Sequence, residues 1–318
     1  MLGRKVQKIR TRIALALSAV VLTVSGGGMS LAILGSAHAA PGAVIYDSIP
    51  SPLPGNVASL GYAATSTSQF GDRVTLDGAS GTAPSVTVLM SSWGCETGHW
   101  NLGDCVTTPG ATFSQELTLN VYNVDAGGAV GSMITSKTQT FDIPYRPSAD
   151  NTHCTAGDAG KWFDGTVCNN GKAAEVTFQL SGLSSDLPTD VVFAVQFNTT
   201  SHGPSPVGTG AACYSSPGGC PYDSLNVGIP TGQTVSVGSD NDADVVYWDT
   251  TYPGYTAGLK ADTGWSPNGT VSLRVVATST PDKVEGMTIL QNGNNIGCDA
   301  SVNQRAITVQ YKPTLVPC

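Results

Sequence analysis

Aromatic and acidic side chains are concentrated in the stretches of this sequence that also contain its cysteines. An aromatic ring on a rigid loop offers a flat apolar surface with a polar edge, which can stack on a sugar ring or pack against a partner protein. Such a stretch can equally bury its rings in a small local core. On the first interpretation, the candidate ligand-binding residues are Trp93, Trp100, Trp162, Tyr214 and Trp248.

A second candidate for chemistry is an acidic segment with carboxylates at Asp240, Asp242 and Asp244. Carboxylates at alternate positions open the calcium loop of an EF-hand. That loop also needs a glycine and a glutamate where this chain has Val245 and Thr251, so an EF-hand is excluded. A looser structural calcium site remains a hypothesis beside a solvated acidic turn, and no other cofactor is expected.

Signatures of catalysis are weak. Glycoside hydrolysis needs two carboxylates across a cleft, and among 23 acidic residues some pair will satisfy that condition by chance. The sequence contains neither G-x-S-x-G nor H-E-x-x-H. We therefore expect a non-catalytic binding module for carbohydrate or an extracellular partner. An extracellular carbohydrate-active hydrolase using loop carboxylates and a purely structural envelope protein are the alternatives.

Eight cysteines fall into four couples of sequence neighbours. An even number of cysteines in an exported chain indicates disulfides rather than free thiols. Bonding within each couple would close a short loop between predicted strands, worth about 2.5–3.3 kcal/mol per loop. Closely spaced C-x-x-C pairs, which zinc sites use, are absent. The expected couples are Cys95 with Cys105, Cys154 with Cys168, Cys213 with Cys220, and Cys298 with Cys318.

The N-terminus predicts export. Five basic residues within residues 1–12 precede an apolar run that begins at Ile13, and Ala37-His38-Ala39 has the small residues of a cleavage site. We expect a signal helix that is cleaved after Ala39. The apolar run is also long enough for an uncleaved membrane anchor, which stays open. The expected location is therefore secreted, either extracellular or associated with the cell surface.

The charge of the chain excludes several kinds of partner. The formal net charge is −8, and loss of the five basic residues of the signal peptide lowers it by five to −13. A chain this acidic repels nucleic acid and anionic lipid surfaces. We expect no nucleic-acid partner, and no membrane span in the mature protein if the signal is cleaved. An extracellular glycan or protein is the expected partner.

Alternation of apolar and polar residues recurs through the chain after the signal. It is clearest at residues 117–121, 176–180 and 271–275, where one face of a strand would be buried. Residues 190–198 are apolar at successive positions, as in a central strand covered on both faces. The intervening stretches are rich in turn-forming Gly, Pro, Asn and Ser. This pattern predicts an all-β fold, an antiparallel β-sandwich of jelly-roll type with disulfide-stapled loops.

The texture of the sequence changes after residue 278. Residues 279–282 have the composition of a linker, and the couple Cys298 with Cys318 would tie the remaining piece to itself. We therefore predict a signal peptide at 1–39, a β-sandwich domain at 40–278 and a small β-rich C-terminal appendage at 279–318. The last piece could instead be a final hairpin of the main domain.

Four blocks of the sequence carry a resemblance as a set. They are YDSIPSPLPGN from Tyr46, TSQFGD from Thr67, FDIPYRP from Phe141 and YDSLNV from Tyr222. Together they resemble a family of uncharacterised exported bacterial proteins, of the actinobacterial type, over about residues 44–278. The resemblance implies a secreted or surface β-sandwich, and it implies no activity and no catalytic residues.

Overall fold

A computed structural model describes residues 42–62, 64–100, 102–197, 225–265 and 269–278, with the short pairs 290–291 and 294–295. These residues form strands and one short 3-10 turn, Ala156–Asp158. The strands are β1 Val44–Asp47, β2 Ser59–Gly61, β3 Thr67–Thr75, β4 Ser85–Ser92, β5 Thr112–Val124, β6 Val130–Pro144, β7 Trp162–Phe163, β8 Cys168–Asn169, β9 Lys172–Gln179, β10 Asp190–Gln196, β11 Leu225–Gly228, β12 Val245–Thr250, β13 Lys260–Thr263, β14 Leu273–Val276, β15 Leu290–Gln291 and β16 Asn294–Asn295.

Two six-stranded sheets contain most of these strands, and every pairing between strands is antiparallel. In the first sheet the order is β1-β14-β4-β11-β2, and β9 pairs along the other side of β4. In the second sheet the order is β13-β12-β3-β10-β5-β6. The pairs β7 with β8 and β15 with β16 form two small separate sheets. The predicted all-β, antiparallel fold is confirmed.

One hydrophobic core draws side chains from both large sheets. Val88, Phe178 and Leu273 enter it from the first sheet, and Leu119 and Phe193 enter it from the second. All five are 3 % exposed or less. Burial of an apolar side chain of this size stabilises a fold by about 1.5–3 kcal/mol. The shared core is therefore the main reason why the two sheets form one body.

Strand β10 lies between β3 and β5 and is apolar on both of its faces. Phe193 points to the main core, whereas Val192 and Ala194 join a smaller cluster with Tyr122 and Tyr247. The second sheet is thus partly covered on its far side as well. This explains why the segment lacks the alternation seen in the other strands.

The far side of the first sheet carries another small cluster, made of Ile49, Val57, Leu89 and Ala173. Leu89 belongs to β4. Its two neighbours in the chain, Val88 and Met90, point instead to the main core. The segment between β1 and β2 therefore folds over the outer face of this sheet. Val57 of this cluster also lines the cleft described below.

Contacts divide the chain into two units. His38–Asp282 contains both large sheets, while Met1–Ala37 and Lys283–Cys318 make up the other unit, in which β15 and β16 are described. The predicted boundaries at residues 39 and 278 stay predictions. Among the residues described, no helix has the length and the apolar character needed to cross a membrane.

Candidate functional site

Two disulfides staple two long loops of the described residues. Cys95 bonds to Cys105 in the loop of residues 93–111, between β4 and β5. Cys154 bonds to Cys168 in the loop of residues 145–171, between β6 and β9. These are called the first and second stapled loops below. Two of the four predicted couples are confirmed, and the other two, with Cys213, Cys220, Cys298 and Cys318, lie outside the described residues.

Arg146 ties the two stapled loops together. Its side chain is fully buried, with 0 % exposed. Its Nη1 donates to the carbonyl of Trp100 in the first loop at 2.7 Å, and its Nη2 donates to the carbonyl of Gly160 in the second at 2.8 Å. A third bond runs from Nε to the carbonyl of Pro147. Neutral carbonyl oxygens thus surround a buried positive charge, and the loops are held in one mutual arrangement.

Three aspartates of these loops accept hydrogen bonds from local backbone N–H groups. Asp104, Asp150 and Asp164 each accept such bonds at 2.7–2.9 Å. Hydrogen bonds to the charged form lower the pKa of all three below the usual aspartate range. The main donors are the side chain and N–H of His99 for Asp104, the N–H and side chain of His153 for Asp150, and the N–H groups of Val167 and Thr166 for Asp164.

These pKa shifts bear on the hydrolase alternative. A general acid in glycoside cleavage needs a carboxyl whose pKa is raised, so that it is protonated at working pH. Asp104, Asp150 and Asp164 are shifted in the opposite direction. These three carboxylates suit the role of caps for tight turns better than the role of proton donors.

An open cleft of about 350 Å³ lies where the second stapled loop meets the segment before β2. Its lining has one indole ring, three side-chain amides and one hydroxyl, and no charged side chain. The cysteine of the lining belongs to the second disulfide. The residues that line the cleft, called the Trp93 cleft below, are Asn56, Val57, Ala58, Ser59, Trp93, Cys168, Asn169 and Asn170.

The indole of Trp93 is fixed on several sides. Its Nε1 donates to the buried hydroxyl of Ser91 at 3.0 Å, and that hydroxyl donates to Oδ1 of Asn56 at 2.7 Å. Trp100 packs edge-on against it, with ring centroids 4.8 Å apart. Gly171 lies so close that an added Cβ would be 2.6 Å from the indole. Ring and amide are therefore oriented before any ligand arrives.

The amides of the cleft keep part of their hydrogen-bonding capacity free. The Ser91 hydroxyl donates to the side-chain oxygen of Asn56, so this bond does not use the NH₂ group of Asn56. The NH₂ group of Asn169 donates to Oδ2 of Asp164 at 2.9 Å, and this bond does not use the side-chain oxygen of Asn169. Asn170 has no side-chain hydrogen bond to the described part of the chain. Donors and acceptors are thus both present beside the indole.

Two other predicted aromatic residues have different surroundings. Trp162 and Trp248 are each 7 % exposed, so neither offers its ring to solvent. Trp162 donates to the carbonyl of Gly171 at 2.6 Å, and Trp248 belongs to the main core. Both are structural rings, in line with the local-core interpretation. Tyr214 lies outside the described residues.

A more exposed aromatic group adjoins Trp248. Tyr255 and Trp265 pack against the Trp248 indole, with ring centroids 4.9 and 5.3 Å away. Asp262 accepts bonds from both of them. Tyr255 is 45 % exposed. Tyr255 and Trp265 thus extend the core aromatic group of Trp248 toward the surface of the protein.

The acidic segment that contains Asp240, Asp242 and Asp244 lies beside Asp72. Asp240 and Asp242 lie together with Asp72, and one carboxylate oxygen from each falls within 4.8 Å of the other two. Asp244 turns away, and its Oδ2 accepts the N–H of Gly264 at 3.2 Å. Asp72, Asp240 and Asp242 are called the acid cluster below. The calcium site stays a prediction. The third carboxylate beside Asp240 and Asp242 is Asp72, and not Asp244 as expected.

Asp72 was missed by sequence reasoning, although the sequence contains a signal. It sits on β3 between Phe70 and Val74, both members of the main core, and is itself 0 % exposed. Burial, and then the charge of Asp240, raises the pKa of Asp72 well above its usual value. Burial also raises the pKa of Asp240, to about 6. An acid at a core position of a strand marks a special environment.

Comparison with protein-family models, with curated proteins and with solved structures found no match. Function is therefore inferred from the chemistry of the sites themselves. The Trp93 cleft offers an open, uncharged surface of mixed polar and aromatic character. The acid cluster offers closely spaced oxygen atoms, one of them on a fully buried side chain.

Proposed function

We propose that this protein is a secreted β-sandwich module that binds a neutral carbohydrate in the Trp93 cleft without transforming it. The observation that carries the proposal is the lining of the cleft, an indole beside three amides and a hydroxyl with no charged group. The proposal includes a jelly-roll arrangement of the two sheets. Their shared core supports a sandwich, and the two disulfides support an oxidising location.

The chemistry of a sugar ring matches this lining. One face of a pyranose carries C–H groups, which pack on the flat surface of an aromatic ring. Its hydroxyls both donate and accept, as do the side-chain amides of Asn56, Asn169 and Asn170. A charged ligand would find no counter-charge among the lining residues, whereas a neutral one needs none.

The fixed geometry of the cleft also favours binding. Ser91 bonds both Trp93 and Asn56, so the stacking surface and the first amide are already in position. The disulfide of Cys154 with Cys168 adjoins the cleft and restrains its opposite wall. A binding site that is ordered beforehand loses less conformational entropy when its ligand arrives.

A non-catalytic role is the reading that the carboxylates support best. Asp104, Asp150 and Asp164 have lowered pKa values, and Asp72 is fully buried. A hydrolase would instead need a protonated acid and a second carboxylate, both open to the same cleft. A purely structural envelope role gives no reason for the uncharged lining of the cleft.

The first test is a screen of the oxidised, secreted full chain against an array of neutral and acidic polysaccharides, followed by calorimetric titration of the best neutral oligosaccharide. Asn170→Ala should weaken binding about tenfold, the effect of losing one good hydrogen bond. Trp93→Ala should abolish measurable binding because it removes the stacking surface. The matched control is Asn151→Ala, which changes an exposed amide of the second stapled loop outside the lining.

Two outcomes would contradict the proposal. One is a protein that binds no neutral glycan on the array while its circular dichroism shows an intact β fold. The other is a bound glycan whose affinity is the same for Asn170→Ala and Asn151→Ala. Release of reducing sugar during prolonged incubation would instead establish the hydrolase alternative.

A further inference from the structure

The acid cluster joins both large sheets. Asp72 lies on β3 in the second sheet, and Thr270, which donates to its Oδ2 at 2.9 Å, comes just before β14 in the first. Asp240 and Asp242 belong to the segment before β12, and the N–H of Asp242 donates to Oδ1 of Asp240 at 3.1 Å. Residues distant in the sequence therefore converge on one small volume at the margin of the core.

The negative charge of this cluster lacks an equal positive charge. Among the described residues, Arg73 is the cation that forms a salt bridge with it, with Nη1 at 3.8 Å from Oδ2 of Asp242. The same guanidinium is held by Asp190 through two shorter bonds, of 2.9 and 2.6 Å. Asp72 and Asp240 thus form no salt bridge with a cation of the described residues. Buried carboxylates are costly unless they are paired or coordinate a metal ion.

Two buried oxygen atoms at this place have no hydrogen-bond partner among the described residues. One is Oδ1 of Asp242, and the other is the hydroxyl of Tyr46. Tyr46 is 0 % exposed, and it packs against Gly238, just before the acidic segment. Burial raises the pKa of this phenol, and the charges of Asp72, Asp240 and Asp242 raise it further. Buried polar groups normally have a partner, so these two indicate a missing one.

From this convergence of oxygen atoms we propose that Asp72, Asp240 and Asp242 bind one calcium ion, with the Tyr46 hydroxyl facing the ion or its bound water. Calcium takes oxygen ligands at about 2.3–2.6 Å, so two oxygens on opposite sides of one ion lie about 5 Å apart. The three carboxylate oxygens meet this limit at 4.8 Å. Sulfur and imidazole ligands, which softer metals prefer, are not part of the set.

A bound ion would act as a clamp between the sheets. The segment of Val237–Ser239 already bridges them, since Val237 pairs with Asp47 of β1 and Ser239 pairs with Thr75 of β3. The ion would add a link from β3 to the same segment and would neutralise the charge enclosed there. It lies apart from the Trp93 cleft in the residues that it uses, so this inference does not depend on the proposed carbohydrate site.

The test is thermal unfolding and calcium titration of the full chain, first stripped with a chelator and then given calcium chloride. The wild type should bind one calcium ion per chain and unfold at a higher temperature with calcium than with chelator. Asp72→Asn should weaken calcium binding about 100-fold or more and remove the temperature difference. Because it also removes an uncompensated buried charge, it should leave the chelated protein at least as stable as the chelated wild type.

Two further variants keep the test decisive. Asp240→Asn, in the half-buried segment, serves if Asp72→Asn does not fold, and it should lose the calcium response in the same way. Asp142→Asn removes an equal charge from an exposed position of β6 and should retain the full response. An independent readout is terbium luminescence excited through tyrosine, which should fall when Tyr46 and Tyr247 are both replaced by phenylalanine. The Tyr247 hydroxyl donates to Oδ2 of Asp242 at 2.9 Å, and phenylalanine transfers excitation energy to terbium poorly.

The proposal fails if calcium produces neither heat of binding nor a change in unfolding temperature in the folded wild type. It fails equally if Asp72→Asn and Asp240→Asn both keep the wild-type response, or if Asp142→Asn loses it. A calcium response with terbium emission that is unchanged when both tyrosines are replaced would overturn the placement of the ion.

Discussion

The stapled loops and the acid cluster differ in the groups that surround a buried ionisable side chain. In the loops, a buried cation, Arg146, is surrounded by carbonyl oxygens, and the aspartates remain exposed as caps of local turns. In the acid cluster, a buried carboxyl group, Asp72, has carboxylates as neighbours, and its pKa is raised by burial and then by the charge of Asp240. The buried arginine is matched by carbonyl oxygens of the protein itself, whereas the acid cluster is the place for which we propose a bound cation. This difference shows that the identity of a residue says little until its burial and its partners are known.

The largest effect on this comparison should come from removing the buried cation. Arg146→Met deletes the three hydrogen bonds that the charged guanidinium donates to carbonyls of the described residues. Each is worth about 1.5 kcal/mol, so we expect the free energy of unfolding to fall by about 4.5 kcal/mol. Denaturant unfolding monitored by tryptophan fluorescence measures it. The matched control is Arg274→Met, since Arg274 is partly exposed and forms ordinary ion pairs with Asp47 and Glu175.

If the two arginine variants lose the same stability, the view of Arg146 as the link between the loops is wrong. The expected loss for Arg274→Met is about 1 kcal/mol or less, because exposed and partly exposed ion pairs contribute little. A retained affinity for carbohydrate in Arg146→Met would further show that the Trp93 cleft does not depend on the arrangement of the loops.

A somewhat smaller effect should follow from removal of the second disulfide. Replacing Cys154 and Cys168 together by serine opens a loop with a sequence separation of 14, which should cost about 3 kcal/mol. The loss should be confined to the second stapled loop, since the two sheets share a core of their own. Hydrogen exchange should therefore accelerate in residues 145–171 while β10 stays protected. Equal acceleration in β10 would mean that the staple supports the whole domain.

The smallest effect should appear on acidification. Asp104, Asp150 and Asp164 have lowered pKa values in the folded protein, so each stabilises its loop fully above the unfolded pKa of about 3.9 and loses this effect as pH falls through the folded pKa. Hydrogen exchange in the stapled loops, corrected for the intrinsic rate, should accelerate below about pH 4. Loops that become better protected at low pH would contradict this assignment.

Much of the fold could be read from the sequence. Alternation predicted β5 and β9 because each buries one face, and continuous apolar character predicted β10 because it is covered on both. Disulfide partners were predicted for the two described couples because neighbouring cysteines between strands lie within bonding distance. Trp93, one of the predicted ligand-binding residues, lines a cleft, and its role in binding stays a prediction.

The remaining parts depend on contacts between distant residues. Nothing local in the sequence distinguishes Trp93, which lines the cleft, from Trp162, which is buried against Gly171. Likewise, the acid cluster contains Asp72 and not Asp244, and this membership depends on the pairing of Ser239 with Thr75. Periodicity can place a residue on a face of its strand, and it cannot say which loop covers that face.

The pairing of β1 with β14 has a consequence for the order in which this protein can fold. Val44 pairs with Val276, so the first strand of the domain meets its partner near the end of the domain. Contacts between residues so far apart in sequence form late, because a long chain must first be closed into a loop. Tyr46, Asp72 and Thr270 converge only after this closure. A calcium ion at the proposed site would thus recognise the finished fold and slow its opening, because it would hold the two ends of the domain together.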